Sequence, residues 1–153
     1  MPAAAGTAYA GFWRRLGAWA IDQVILSVAG AIIGILLGIG LAVGAAATGH
    51  STVSSQSADV LTVPLYIVGA ILSWLYFTVC EASAWQGTPG KLALGIKVTD
   101  LSGRRISWGR ANARFWSKLI SGLTLGIGYL MVAFTERKQG LHDMIAATLV
   151  MRR

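Results

Sequence analysis

Two long stretches of the chain contain no charged residue. After Asp22 no Asp, Glu, Lys or Arg occurs until Asp59, and residues 60–80 form a second charge-free run. About 20 consecutive apolar residues already cross the hydrocarbon core of a bilayer. The pattern therefore predicts two transmembrane helices, over about residues 19–46 and 60–80.

The polar segments around these runs predict their orientation. Residues 48–58, TGHSTVSSQSA, contain no basic residue and read as a short external loop. The segment 81–118 is the longest polar stretch, and its basic residues outnumber Glu81 and Asp100. Positively charged loops stay in the cytoplasm. We therefore expect a multi-pass protein of the bacterial cytoplasmic (inner) membrane with a cytoplasmic N-terminus. The seven basic residues are Lys91, Lys97, Arg104, Arg105, Arg110, Arg114 and Lys118.

The pattern within this loop changes from that of strands to that of a helix. LGIKVTD, LSG and RRIS alternate apolar and polar residues around a turn, which predicts a short β-hairpin. From Ser107 onward, Arg110, Arg114 and Lys118 are spaced four apart beside an apolar face. This spacing predicts an amphipathic helix at the membrane surface.

A third apolar segment, residues 119–135, is short for a membrane span and is broken by Gly122, Gly126 and Gly128. A single crossing would place the basic tail that follows outside, against the charge bias of the other loops. We therefore favour a re-entrant helical hairpin. The final AATLVMRR is expected to pair with the predicted β-hairpin.

These elements together predict one unit over residues 1–153. The expected fold class is an all-α membrane protein with two transmembrane helices and an amphipathic or re-entrant helical hairpin. A small cytoplasmic β-hairpin completes it.

Composition supports membrane insertion. The chain is 55% hydrophobic and 12% charged, with a formal net charge of +7. A basic soluble nucleic-acid binder would not contain such long charge-free runs, so we exclude nucleic acid and expect contacts with the bilayer and its anionic lipid head groups. A single cysteine and two distant histidines predict no disulfide and no metal site, and no cofactor is expected.

Gly30, Gly34 and Gly38 recur every fourth residue in the first predicted span. Small residues at this interval let two helix backbones approach closely, within a protomer or between protomers. The alternative is that glycine is simply common in membrane helices.

Charged residues at the start of the first span need partners. Arg14, Arg15 and Asp22 enter apolar sequence directly. Arg15 and Asp22 lie two helical turns apart on one face, about 10 Å along the axis. An ionisable side chain at this depth needs a partner, and a second carboxylate from elsewhere could complete the pair.

Four segments of the chain carry a resemblance to a known family. They are AGFWRRLGAWAID at 10–22, TPGKLALGIKVTD with its following turn at 88–103, GRANAR at 109–114, and RKQGLHDMIAATLV at 137–150. This set resembles the RDD family of integral membrane proteins, named for one arginine and two aspartates. The resemblance implies that these are Arg15, Asp22 and Asp143. Ala147 stands where the family usually has glycine.

Arg15, Asp22 and Asp143 would form a cluster with one cation for two acids. Arg14 or Arg114 could balance the charge, which would make the cluster structural. Otherwise the two carboxylates would raise each other's pKa, and one could titrate near neutral pH as part of a proton or cation relay. His142 could join such a relay or merely cap its loop.

The sequence predicts no enzyme, because it contains no catalytic triad spacing, no phosphate loop and no dense ligand cluster. The resemblance implies either transport or an accessory role in a membrane complex. We therefore expect a transport module for a cation, proton or small solute, which must oligomerise because two spans cannot enclose a pathway. The alternative is a scaffold or assembly subunit in which the charged cluster only locks helix ends together.

Overall fold

A computed structural model describes residues 9–49, 55–124 and 126–153. The predicted external loop therefore lies partly outside the described residues. Within these residues, six helices and two strands follow one another along the chain. They are α1 (Phe12–Ala47), α2 (Ser55–Ala82), α3 (Pro89–Ala93), β1 (Ile96–Asp100), α4 (Trp108–Leu123), α5 (Ile127–Phe134), α6 (Leu141–Ile145) and β2 (Thr148–Arg152).

The chain forms two compact units. The apolar unit comprises residues 23–73, and the charged unit comprises residues 1–22 together with 74–153. Helices α1 and α2 contribute residues to both units. Helix α1 and the part of α2 from Thr62 to Ala82 are long and apolar enough to cross a membrane, as predicted.

The apolar unit exposes large hydrophobic side chains along both of its helices. Val24, Leu36 and Tyr66 expose 63%, 64% and 76% of their surface. Hydrophobic surface on this scale is unfavourable in water and is satisfied by lipid or by another helix. The unit therefore has the surface of a membrane-embedded segment.

The charged unit contains a small hydrophobic core beneath a two-stranded sheet. Its buried members include Ala10, Ala18, Ile96, Val98 and Val150. Strands β1 and β2 are antiparallel, with Val98 opposite Val150. The C-terminal strand thus pairs with the segment between α2 and α4, as the sequence predicted.

The small antiparallel sheet is confirmed, but the second strand is not the predicted RRIS segment. The Asp100 carboxylate accepts hydrogen bonds from the backbone N–H groups of Ser102 and Arg104, at 2.8 and 2.9 Å. These bonds close a turn that continues through Gly103, whose φ is +79°. The chain then leads to Ser107, whose hydroxyl caps the N-terminus of α4, so no residues remain for a returning strand.

Helices α4 and α5 are bent relative to each other by 102°, in agreement with the predicted helical hairpin. Helix α4 ends at Leu123 and α5 begins at Ile127, within the predicted turn region of Gly122 to Gly128. Because β2 pairs with β1, the chain returns after α5 to the side from which α4 began. This pairing favours a re-entrant segment over a single crossing by the third apolar segment.

Candidate functional site

The N-terminal turn of α1 and the short helix α6 meet at an ion pair. The guanidinium of Arg15 pairs through Nη1 with Oδ2 of Asp143, which is fully buried. Its Nε donates to the carbonyl of Ala10 at 3.0 Å, and Nη2 donates to the carbonyl of Lys138. Two of the three name-giving residues, 128 positions apart, are therefore in direct contact.

Arg114 supplies the second cation that the sequence left open. It lies in α4, with only 3% of its side chain exposed. Its Nη2 is 3.0 Å from Oδ1 of Asp143, and its Nε is 3.4 Å from Oε2 of Glu81. Asp143 therefore lies between two guanidinium groups, and Arg114 joins it to a second carboxylate.

Sequence reasoning missed Glu81, which ends the second span and is 1% exposed. Lys91 of α3 pairs with Glu81 directly, and Nζ of Lys118 lies 3.9 Å from the same carboxylate. The signal was present in the sequence, because an acid that directly follows a charge-free span needs a cation. What the sequence did not provide was which of several nearby basic residues would reach it.

Opposing effects determine the pKa of Asp143. Burial alone would raise it, but the positive charges of Arg114 and Arg15 outweigh burial and hold the pKa well below its usual value. Asp143 is therefore ionised at neutral pH. Of the two arginines considered as a second cation, Arg14 and Arg114, it is Arg114 that pairs with Asp143.

His142 contacts the same carboxylate from its own helix. Its Nε2 lies 3.4 Å from Oδ1 of Asp143, and its ring centroid lies 5.2 Å from that of Tyr129. Burial lowers the pKa of His142 to about 3. The imidazole is therefore neutral at physiological pH, and it adds no charge to the cluster.

Asp22 is 1% exposed and has a different set of partners. Its Oδ1 accepts hydrogen bonds from the hydroxyl of Tyr76 at 2.9 Å and from the backbone N–H of Gly90 at 2.8 Å, and its Oδ2 accepts one from the hydroxyl of Thr88. Within the described residues no cation lies within ion-pair distance of Asp22. The predicted contact of Asp22 with Arg15 is therefore not formed.

The Asp22 site depends on a close approach of α3 to α1. A Cβ on Gly90 would lie 2.2 Å from the carbonyl oxygen of Ala18 and 2.8 Å from Oδ1 of Asp22. Only glycine fits this position without displacing the backbone. Pro89, at the first position of α3, fixes the turn that presents the N–H of Gly90 to the carboxylate.

The remaining predicted residues lie outside this cluster. Arg14 is exposed and forms no ion pair with any residue that the structure describes. Gly30, Gly34 and Gly38 lie on α1 in the apolar unit, where an added Cβ would meet no described atom within 4 Å. The glycine face therefore has no partner helix in the described part of this protomer.

A cavity of about 600 Å³ lies in the charged unit beside the ion network. Asp22 and four cations, Arg15, Lys91, Arg114 and Lys118, contribute to its lining. The rest of its wall is predominantly apolar and includes Phe12, Leu16, Trp19, Phe77, Tyr129 and Leu130. Elsewhere too, the described residues contain no group of three or more His, Cys, Asp or Glu side chains placed to hold a metal ion.

A sequence model of the RDD family matches residues 9–147, which include Arg15, Asp22 and Asp143. The chain belongs to the RDD family. Its relatives include the uncharacterised protein YxaI of Bacillus subtilis (strain 168), which is 38% identical over 145 residues, covering 92% of this chain and 95% of YxaI. The uncharacterised membrane protein YteJ of the same organism is 26% identical over 150 residues, covering 94% of this chain and 80% of YteJ. No solved structure shows significant similarity to this RDD-family chain.

Proposed function

We propose that this RDD-family protein is a transport or permeation module that works as an oligomer, and that its charged cluster handles an anionic solute. The observation that carries the proposal is the charge around the cavity. Arg15, Lys91, Arg114 and Lys118 contribute to its lining, and among the described residues Asp22 is the one carboxylate there. Asp143 and Glu81 pair with these cations, so four cations face three carboxylates in all. The remaining positive charge favours an anion.

The ion pairs of Asp143 and Glu81 support an anion as the solute in preference to a relay of cations or protons through these two acids. Asp143 is paired with two arginines, and its pKa is lowered. A relay needs a carboxyl group that changes protonation near neutral pH. Glu81 is also surrounded by cations, so neither acid of the network has the environment of a proton carrier.

Oligomerisation is part of the proposal because two spans and a bent helix pair cannot enclose a pathway. The Gly30, Gly34 and Gly38 face supports it. These residues have open space around them in the described part of the chain, which would allow close approach of a second copy.

Flux through purified protein in liposomes tests the proposal. Efflux of chloride and of glutamate would be compared with K⁺ and H⁺ fluxes, for the wild type and for Lys118→Gln. Lys118 lines the cavity, and its removal leaves the pairs of Glu81 with Lys91 and Arg114 in place. Lys97→Gln is the matched control, since Lys97 lies on β1 and does not line the cavity.

We expect anion efflux that decreases in Lys118→Gln and is unchanged in Lys97→Gln. Folded wild-type protein that carries neither anion would refute transport of these solutes. A K⁺ or H⁺ flux larger than the anion flux would refute the assignment of an anion.

A scaffold or assembly role is the second candidate, and the connectivity of the ion network favours it. Arg15 pairs with Asp143, Arg114 pairs with both Asp143 and Glu81, and Lys91 pairs with Glu81. These ion pairs connect α1, α2, α3, α4 and α6. Such a network can lock the ends of the spans without handling a solute. Crosslinking from Lys97 in native membranes tests this role. Capture of no protein other than further copies of this chain would refute the scaffold role.

The orientation in the membrane is also part of the proposal. We infer a multi-pass protein of the cytoplasmic membrane with both termini inside. Bridge pairing of Tyr9 with Met151 supports a common side for the two ends of the described chain. The basic charge of residues 81–118 supports the cytoplasm as that side. A C-terminal alkaline phosphatase fusion should be inactive, and an active fusion would contradict this orientation.

A further inference from the structure

The cavity in the charged unit combines a cationic end with apolar walls. We propose that it binds an anionic amphiphile, with the acidic head at Arg114, Lys91 and Lys118 and the hydrocarbon chain along α1 and α5. This inference rests on the proposed function for the sign of the ligand's charge. It goes further by assigning the ligand a long apolar part.

Arg114 is the main argument for the head group. It lines the cavity, and only 3% of its side chain is exposed. Its Nη1 forms neither a hydrogen bond nor an ion pair with any described residue, and its Nε contacts Glu81 at 3.4 Å without a hydrogen bond. A buried guanidinium with an unused N–H group is incompletely satisfied, and an anionic oxygen would complete it.

Two lysines flank this guanidinium. Lys118 lies on the same helix one turn later, and Nζ of Lys118 is also 4.5 Å from the ring centroid of Phe77. Its contact with Glu81, at 3.9 Å, is the longest in the network. Lys118 is therefore the cation whose charge is least neutralised by protein carboxylates.

The walls indicate the rest of the ligand. Phe12, Leu16 and Trp19 follow one another at helical spacing along one side of α1, and Leu130 comes from α5. Leu16, Trp19 and Leu130 expose 39%, 55% and 50% of their surface. Apolar walls that are partly open accept a hydrocarbon chain, whereas a small hydrophilic anion would leave them in contact with water.

Two sources could supply this chemistry. An acidic phospholipid of the surrounding bilayer and a free fatty acid both join anionic oxygens to a hydrocarbon chain. The cavity volume of about 600 Å³ is within the range of small-molecule sites, so it fits a head group and part of a chain.

The test uses Trp19, which lines the cavity. The full-length protein in detergent micelles is titrated, at low mole fraction, with chain-brominated phosphatidylglycerol, phosphatidylcholine or oleate, and tryptophan quenching is followed. The signal assigned to the cavity is the difference between the wild type and Trp19→Phe. Inorganic phosphate serves as the hydrophilic competitor.

We expect saturable quenching by phosphatidylglycerol, by oleate or by both, and the pattern identifies the source. Lys118→Gln should weaken binding at least about fivefold, since it removes a charged contact. Leu130→Gln, on the apolar wall, should also weaken binding. Lys97→Gln should bind like the wild type.

Three results would overturn the proposal. They are equal affinity for phosphatidylcholine, displacement by inorganic phosphate at concentrations similar to the amphiphile, and identical quenching in Trp19→Phe. Saturable amphiphile binding without any flux would support this inference and refute transport. Flux of chloride or glutamate without amphiphile binding would support transport and refute this inference.

Discussion

Asp22 and Asp143 are about equally buried, at 1% and 0% exposure, but their surroundings differ in kind. Asp143 lies between the guanidinium groups of Arg15 and Arg114. Asp22 accepts hydrogen bonds from a tyrosine, a threonine and a backbone N–H. A buried carboxylate can thus be stabilised either by charge or by neutral donors, and one charged motif can contain both.

Substitution of Asp143 should therefore destabilise the protein more than substitution of Asp22. Neutralising Asp143 leaves two buried cations without their shared anion. Neutralising Asp22 leaves no cation behind, because its donors are uncharged. The two aspartates therefore contribute to stability separately, and substitutions at each should have different costs.

Asp143→Asn should have the largest effect. Arg15 and Arg114 would lose their common counter-ion while remaining buried, which costs about 3–5 kcal/mol. Equilibrium unfolding in mixed micelles measures this loss. Arg14→Gln, an exposed change in the same turn as Arg15, is the control and should lie within about 0.5 kcal/mol of the wild type. A cost for Asp143→Asn below about 1 kcal/mol would mean that the charges are not coupled as described.

Gly90→Ala should be the next most severe change, and it acts on the Asp22 side. The new Cβ would lie 2.2 Å from the carbonyl oxygen of Ala18, so α3 must move away and its hydrogen bond to Asp22 is lost. Overpacking of this kind costs about 3 kcal/mol. Gly109→Ala is the matched control, since its Cβ would meet nothing closer than 4.0 Å. Equal stability of the two variants, by the same unfolding measurement, would contradict the close approach of α3 and α1.

Acid should destabilise the Asp143 side through His142. Its pKa is 6.5 in the unfolded chain and about 3 in the fold, so the unfolded state takes up a proton first as pH falls. Stability is complete above pH 6.5 and decreases by up to about 1.4 kcal/mol per pH unit below it. Asp143, whose pKa is lowered, acts in the same direction only as pH falls through 3.8.

Unfolding measured between pH 7 and 5 tests this effect. In His142→Gln the free energy of unfolding should depend less steeply on pH, by a slope that corresponds to the uptake of about one proton. An unchanged slope in His142→Gln would show that another group causes the acid sensitivity.

Asp22→Asn should have the smallest effect of the single changes at the two sites. The amide oxygen of asparagine can still accept from Tyr76 and Gly90, and the hydroxyl of Thr88 can turn to accept from the new NH₂ group. We expect a loss of about 1 kcal/mol in the same unfolding measurement. A loss as large as that of Asp143→Asn would indicate an ion pair at Asp22.

Periodicity and charge predicted much of the fold, because they follow from local sequence. The two charge-free runs lie in α1 and α2, and the helical spacing of residues after Ser107 corresponds to α4. The pairing of the C-terminal strand was predicted, whereas the predicted RRIS strand was wrong, because the turn that Asp100 stabilises replaces it. Asp followed by Ser and Gly is typical of a turn in which the carboxylate accepts backbone hydrogen bonds, so a local signal for this turn was present.

The site was predicted only in part. The contact of Arg15 with Asp143 spans 128 positions and came from the family resemblance, not from spacing. The partners of Asp22 are Tyr76 of α2 and two groups of the TPG turn, Thr88 and Gly90. All three are uncharged, so no charge rule identifies them. Ala147 has a φ of +50°, in the left-handed region that favours glycine.

The most direct measurement is a pair of double-mutant cycles in mixed micelles, one for Arg15→Gln with Asp143→Asn and one for Arg15→Gln with Asp22→Asn. Direct contact predicts a coupling free energy of about 2–3 kcal/mol between Arg15 and Asp143, whereas residues that share no partner should couple by less than about 0.5 kcal/mol. Separate environments for the two aspartates predict the larger value for Asp143 and the smaller for Asp22. Equal couplings, or a larger one for Asp22, would contradict that separation.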